Sequence, residues 1–203
     1  MGNSKYNKVA LAMAGLFAMV ATSAAAQPFM HVGGLTTQPV GHYDFCQRMP
    51  AECQPTADAS SPTELTRELW AEIVNVNNVV NIAVRPRTDM EMWGIEEYWS
   101  YPVNGYGDCE DYVLEKRKRL IEQGVPASNL LITVVRQPNG DGHAVLVVHT
   151  SMGDFVLDNL EMRVLRWNET EYSFLKRQSS QHAGMWVGIN DDRDILVGSV
   201  AAR

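Results

Sequence analysis

The order of helical and strand-like patterns along the chain constrains its fold most. Apolar residues recur at spacings of three or four over residues 65–80, and a second helical repeat covers residues 113–121. Apolar, β-branched runs follow at residues 130–135, 143–150 and 155–160. Helices that precede a run of neighbouring strands are typical of an α+β domain, in which N-terminal helices pack on an antiparallel β-sheet.

Capping signals predict where the two helices begin and end. Ser61 suits the N-cap of the first helix, Pro62 its first helical position, and Glu64 the return half of a capping box. The second helix ends near Gln123, and Gly124 suits its C-terminal cap.

The remaining segments predict loops and further strands. Residues 85–107 read as a long ordered loop that is rich in aromatic residues. Additional strands are predicted near residues 172–175, 185–189 and 195–200.

The first 26 residues have the layout of a secretory signal peptide. Lys5 and Lys8 precede an apolar run over residues 9–21, and small residues follow up to position 26. A membrane anchor is the alternative, but this run is shorter than the ~20 apolar residues that cross a bilayer. We therefore expect export to the periplasm, cleavage before Gln27 and no stable membrane insertion afterwards. Residues 27–203 would form a single domain, with residues 27–60 as an irregular N-terminal arm.

The charge balance argues against one class of partner. The chain has 17 basic and 24 acidic residues, and hence a net charge of −7. Removal of the leader takes away Lys5 and Lys8 but no acid, which makes the balance more negative still. Nucleic-acid binding needs clustered lysine and arginine, so a nucleic-acid partner is not expected.

Three cysteines in an exported chain predict one disulfide and one spare thiol. Cys46 and Cys53 lie seven positions apart with Pro50 between them, so they can close a small loop. A metal pair is the alternative, but no further cysteine or histidine stands nearby at zinc spacing. An oxidising compartment favours the disulfide, which leaves Cys109 unpaired.

Cys109 stands at the predicted start of the second helix. Unpaired N–H groups and the helix dipole stabilise an anion there, and the thiolate is the reactive form of cysteine. Asp108, Glu110 and Asp111 act in the opposite direction, because negative neighbours raise the pKa of a thiol. The alternative is an inert, buried cysteine.

His143 and Asp158 are candidate partners for Cys109 on two consecutive strands. A thiol nucleophile needs a base and an acid that orients the base. A hairpin centred between residues 150 and 151 would place His143 opposite Asp158. A turn centred between residues 152 and 153 would instead place Val147 opposite Asp158. The sequence does not exclude four other histidines as bases: His31, His42, His149 and His182.

Three motifs around these residues resemble the bacterial transglutaminase-like cysteine proteinases, a family that includes LapG-type periplasmic adhesin proteases. The motifs are GDCEDY at residues 107–112, GHAVL at residues 142–146 and VLDNL at residues 156–160. Shorter matches complete the resemblance over most of the mature chain: residues 74–77, 88–89, 98–99 and 116–117.

The resemblance implies a papain-like, transglutaminase-like fold and a cysteine endopeptidase. Cys109 would be the nucleophile, His143 the base and Asp158 the orienting acid. Asp108 and Glu110 match calcium-binding acids of the family, although carboxylates also cap helix N-termini. The resemblance further implies a protein substrate such as a cell-surface adhesin, an inner-membrane receptor as partner, and no organic cofactor.

Two other functions use the same residues or the same fold. A transglutaminase or amidase would pass the same acyl group to an amine or act on protein or cell-wall amides. A non-catalytic binding module would instead use the aromatic loop at residues 93–106 as its interaction surface.

Overall fold

The computed structural model describes residues 28–56 and 61–193. The leader and the predicted strand at residues 195–200 lie outside these ranges. None of the described helices is long and apolar enough to cross a membrane.

The N-terminal arm is more regular than the sequence predicted. It contains strand β1 (His31–Thr36), helix α1 (Val40–Arg48) and a 3-10 turn at Pro50–Cys53. Strand β1 pairs with the last described strand of the chain. Its hydrogen-bond partner is therefore more than a hundred residues away, which explains why no local pattern indicated a strand.

The predicted disulfide between Cys46 and Cys53 is present, with the Cα atoms 5.6 Å apart. It joins the end of α1 to the following turn. Cys46 lies 3.7 Å from the ring nitrogen Nδ1 of His42, which is buried on the same helix. The bridge therefore forms part of the core that fixes the N-terminal arm.

The long helix α2 (Arg67–Ala83) begins later than the predicted cap at Ser61. Thr66 is the N-cap, and its hydroxyl accepts a 3.1 Å hydrogen bond from the backbone N–H of Leu69. The chain before it is extended: Thr63 donates to the carbonyl of His149 and accepts from the N–H of Ser151. These bonds to a distant strand compete with the first helical turn, so the prediction for Ser61 was wrong.

Residues 85–107 are not entirely loop. They contain helix α3 (Asp89–Trp93), capped by Thr88, and two short strands, β2 (Arg85–Pro86) and β3 (Tyr106–Gly107), that pair in parallel. This pairing brings α3 close to the chain that enters the next helix.

Helix α4 (Cys109–Glu122) ends as predicted, and Gly124 takes the positive φ of 91° that a left-handed residue requires. The strands follow, most of them at the predicted positions: β4 (Leu130–Arg136), β5 (Gly142–Thr150), β6 (Gly153–Leu157), β7 (Leu165–Arg166), β8 (Ser173–Ser179) and β9 (His182–Asn190). Together with β1 they form an antiparallel seven-stranded sheet in the order β1-β9-β8-β4-β5-β6-β7.

Both faces of the central strands β4, β5 and β6 are buried. Alternate residues of β4 divide between two apolar clusters: Leu130 and Ile132 face the helices, and Leu131 and Val135 face the opposite side. On the helical side, Ile73 of α2 is completely shielded from solvent. Burial of such a side chain contributes about 1.5–3 kcal/mol. The α+β prediction, with N-terminal helices on an antiparallel sheet, is confirmed.

Candidate active site

Cys109 is the first residue of α4 and is half-buried. The helix packs against β5, and the backbone of Ala144 on that strand is close enough to the Cys109 thiol to oppose the rise that burial causes in the pKa of the thiol. Ala144 directly follows His143. The structure therefore brings the candidate nucleophile to the beginning of the strand that carries the candidate base.

His143 and Asp158 form a buried hydrogen-bonded pair. Nε2 of His143 lies 2.8 Å from Oδ1 of Asp158, and the two residues are 6% and 3% exposed. The β5–β6 hairpin pairs Thr150 with Gly153, so its register lies midway between the two alternatives that the sequence left open. Strand β6 ends at Leu157, and Asp158 reaches His143 diagonally, as residues two positions apart on one sheet face can.

Several donors hold the Asp158 side chain in place. Oδ1 also accepts a 3.0 Å bond from the N–H of Leu160, and Oδ2 accepts a 2.5 Å bond from the hydroxyl of Tyr172. Burial alone would raise the pKa of Asp158, but the bonds from His143, Tyr172 and Leu160 outweigh it and lower that pKa. Asp158 is therefore ionised at neutral pH and can orient an imidazole.

The four other histidines lie elsewhere in the fold. His42 is buried among Trp99, Trp186 and the disulfide. His149 pairs with Asp154 near the opposite end of β5. Two more lie on strands of the other half of the sheet: His31 is exposed on β1, and His182 begins β9.

Three carboxylates next to Cys109 form a cluster. Oxygens of Asp89, Asp108 and Asp111 lie within 4.8 Å of one another. One oxygen of each accepts a backbone N–H, from Tyr98, Asp89 and Ser100 respectively.

The second oxygen of each carboxylate is buried and has no hydrogen-bond partner among the described residues: Asp89 Oδ1, Asp108 Oδ1 and Asp111 Oδ2. Hard oxygen ligands in this arrangement suit Ca²⁺. Gly107 leaves room for the cluster, because a Cβ there would lie 2.6 Å from Asp111. This donor set therefore fits a calcium ion.

The sequence indicated only part of this cluster. Asp108 was a predicted metal ligand and lies within it, whereas Asp89 and Asp111 were not predicted as ligands. Asp89 belongs to the TD motif at residues 88–89, which was the available signal. The second predicted ligand, Glu110, lies at the thiol: Sγ of Cys109 is 3.0 Å from its Oε2.

The acids around the nucleophile all have raised pKa values. Burial, followed by the charge of nearby carboxylates, raises the pKa of Asp108 to about 6 and that of Glu110 to about 9. Burial is also the main cause that raises the pKa of Asp111 to about 8. Burial and the adjacent Glu110 raise the pKa of the Cys109 thiol. Burial thus keeps water from stabilising ionised carboxylates at this site, and a bound cation would stabilise them instead.

An open cavity of about 410 Å³ lies beside the His143–Asp158 pair. Asp158 and Tyr172 line it, together with Glu161 and Arg163, which form an ion pair on its rim. The cavity therefore brings solvent close to the orienting acid, although the acid itself is buried.

The model of one protein family matches residues 32–194, which is most of the chain: bacterial transglutaminase-like cysteine proteinase. The chain belongs to this family. It is therefore a cysteine peptidase of the transglutaminase-like type, as the resemblance of its motifs predicted. No curated protein gave a significant match.

Solved structures of this proteinase family include LapG from Legionella pneumophila. The calcium-bound form of LapG is 25% identical, with a TM-score of 0.51 over 59% of this chain and 68% of LapG. The EGTA-treated form is 26% identical, with a TM-score of 0.50 over 61% of this chain and 72% of LapG. The present proteinase thus has the α+β architecture of LapG.

Proposed function

We propose that this proteinase is a periplasmic endopeptidase that hydrolyses an exported or surface-attached protein through Cys109, His143 and Asp158. The observation that carries the proposal is the 2.8 Å contact between Asp158 and His143, which lies at the start of the strand that packs against the helix of Cys109. The proposed base and orienting acid are therefore paired, and the proposed nucleophile lies on the helix that packs against the strand of the base, which supports thiol catalysis.

In this mechanism His143 takes the proton of the Cys109 thiol, and the thiolate attacks the carbonyl carbon of the scissile peptide bond. The imidazolium returns that proton to the leaving amine as the C–N bond breaks, which leaves an acyl-enzyme. Water, deprotonated by His143, then attacks the thioester, and the carboxylic acid and the free thiol are released. Asp158 holds the imidazole in one tautomer throughout and stabilises its charged form.

We further propose that Asp89, Asp108 and Asp111 hold a calcium ion and that Glu110 contributes at its edge. The support is the set of three unpartnered, buried carboxylate oxygens. A bound ion would supply positive charge beside the thiol. It would offset the negative charge of Asp108, Glu110 and Asp111, which otherwise disfavours a thiolate. The same ion would order the start of α3 against the start of α4.

Export, substrate and partner are part of the same proposal. The leader pattern in residues 1–26 supports a periplasmic location. The LapG-type resemblance supports a cell-surface adhesin as substrate and an inner-membrane receptor as regulatory partner.

The test compares new protein N-termini in the exported fraction of the host after addition of wild-type protein or Cys109→Ala. We expect calcium-dependent cleavage by the wild type and by His182→Ala, and none by Cys109→Ala. Equal cleavage by Cys109→Ala would overturn the proposal. The same reaction is repeated with a small primary amine added. Products in which the acyl group is joined to this amine, instead of hydrolysed, would assign the chain to the transglutaminases.

A further inference from the structure

Both oxygens of the Asp158 carboxylate are engaged, by donors from three parts of the chain. Oδ1 accepts from Nε2 of His143 at 2.8 Å and from the N–H of Leu160 at 3.0 Å. Oδ2 accepts from the hydroxyl of Tyr172 at 2.5 Å. Rotation of this carboxylate would break bonds at both oxygens, so the Tyr172 hydroxyl helps to fix the plane that His143 meets.

Tyr172 also contacts His143 directly. The two ring centroids are 5.6 Å apart with an interplanar angle of 61°, which is an edge-on arrangement. Tyr172 immediately precedes β8, two strands away from β5 in the sheet. The side chain of Tyr172, from the segment just before β8, thus restrains both the base and its orienting acid.

The position of Tyr172 at the cavity adds a second constraint. Tyr172 and Asp158 both line the cavity of about 410 Å³, but Tyr172 is half-buried whereas Asp158 is only 3% exposed. The phenol therefore takes the place that water would otherwise occupy at Oδ2. The hydroxyl of Tyr172 is a fixed hydrogen-bond donor, so it keeps the carboxylate ionised and, unlike a water molecule, also holds it in one orientation.

We infer that Tyr172 is a positioning residue for the thiol peptidase reaction and acts through Asp158 on the orientation of His143. This inference rests on the proposed function of Cys109, His143 and Asp158. It adds a fourth side chain, from outside the three sequence motifs, to the group that determines the reactivity of the thiol.

The decisive variant is Tyr172→Phe, which removes the hydroxyl and keeps the ring against His143. Two readouts are measured in calcium-saturated protein: the rate at which iodoacetamide alkylates Cys109, and the solvent-exchange protection of the His143 imidazole N–H by proton NMR. We expect alkylation to slow about tenfold, as for loss of one hydrogen bond to a charged group. The N–H signal should also lose protection, because Asp158 becomes free to rotate.

Tyr112→Phe is the matched control. It also loses one phenolic hydrogen bond, 2.7 Å long, to the carbonyl of Val84 in the core. We expect it to lower the free energy of unfolding but to leave both readouts unchanged. Wild-type alkylation and an unchanged N–H signal in Tyr172→Phe would overturn the inference. A failure of the proposed function is distinguishable, because His143→Ala would then alkylate as fast as the wild type.

Discussion

The backbone N–H of Asp89 donates a 3.2 Å hydrogen bond to the carboxylate of Asp108. This bond joins the start of α3 to the N-cap of α4, nineteen residues further along the chain. The same two residues share a cluster with Asp111 in which three buried oxygens lack hydrogen-bond partners among the described residues. A cation bound by this cluster would therefore be coupled to the packing of the helix that presents Cys109.

Calcium should stabilise the protein, and Asp89→Asn together with Asp111→Asn should abolish this effect. At about one hundred times the dissociation constant, the wild type should gain about 3 kcal/mol in free energy of unfolding relative to EGTA. In EGTA the double variant should be at least as stable as the wild type, because burial disfavours the ionised form of both acids that it replaces. Urea unfolding with and without calcium measures both effects.

Glu122→Gln is the control for that experiment, since it removes an exposed acid at the far end of the same helix. Its calcium response should equal that of the wild type. If calcium still stabilised the double variant, the ion would bind elsewhere and the assignment to this cluster would be wrong.

Replacement of Asp158 by asparagine should lower the rate of peptide hydrolysis by about 10³–10⁴, because the amide no longer favours the productive imidazole tautomer. The measurement is the rate at which new N-termini appear in a substrate cleaved by the wild type. His149→Ala is the matched comparison, because His149 forms a similar pair with Asp154 in the same sheet. It should retain wild-type activity, and equal losses in both variants would show a general effect of disturbing the sheet.

His42 should make the protein less stable as the pH falls. Burial, and secondarily the charge of Arg117, lowers the pKa of His42 from 6.5 to about 4. Between these values the unfolded chain binds a proton that the folded chain does not, so the free energy of unfolding decreases from about pH 6.5 to about pH 4. The expected loss is about 3 kcal/mol.

Urea unfolding of the wild type and of His42→Gln across that pH range isolates this contribution. Glutamine can still accept the 3.1 Å bond from Nε1 of Trp186 but does not titrate. The variant should therefore have the shallower pH dependence. Parallel curves for the two proteins would contradict the assignment to His42.

Features that depend on neighbouring residues were predictable from the sequence. The apolar period through Ile73, the left-handed Gly124 and the β-branched strands β4 and β5 appear where the sequence placed them. The Cys46–Cys53 pairing was predictable too, because two cysteines seven residues apart can close a small loop and the predicted export favours a disulfide.

Features that depend on distant contacts were not predictable. Ser61 carries a good capping signal, but hydrogen bonds to the end of β5 keep this segment extended and move the cap to Thr66. Tyr172 and Asp89 reach the site only because strands and short helices remote in sequence converge there. The hairpin register fell between the two alternatives, because Thr150 pairs with Gly153 and the turn therefore centres between Ser151 and Met152.

The rate of Cys109 alkylation by iodoacetamide at about pH 6 tests the central claim most directly. The disulfide protects Cys46 and Cys53, so Cys109 is the free thiol that reports. We predict that the calcium-saturated wild type reacts faster than a simple free thiol and that His143→Ala loses this advantage. A wild-type rate no higher than that of a free thiol, or an equal rate in His143→Ala, would contradict a Cys109 nucleophile activated by His143.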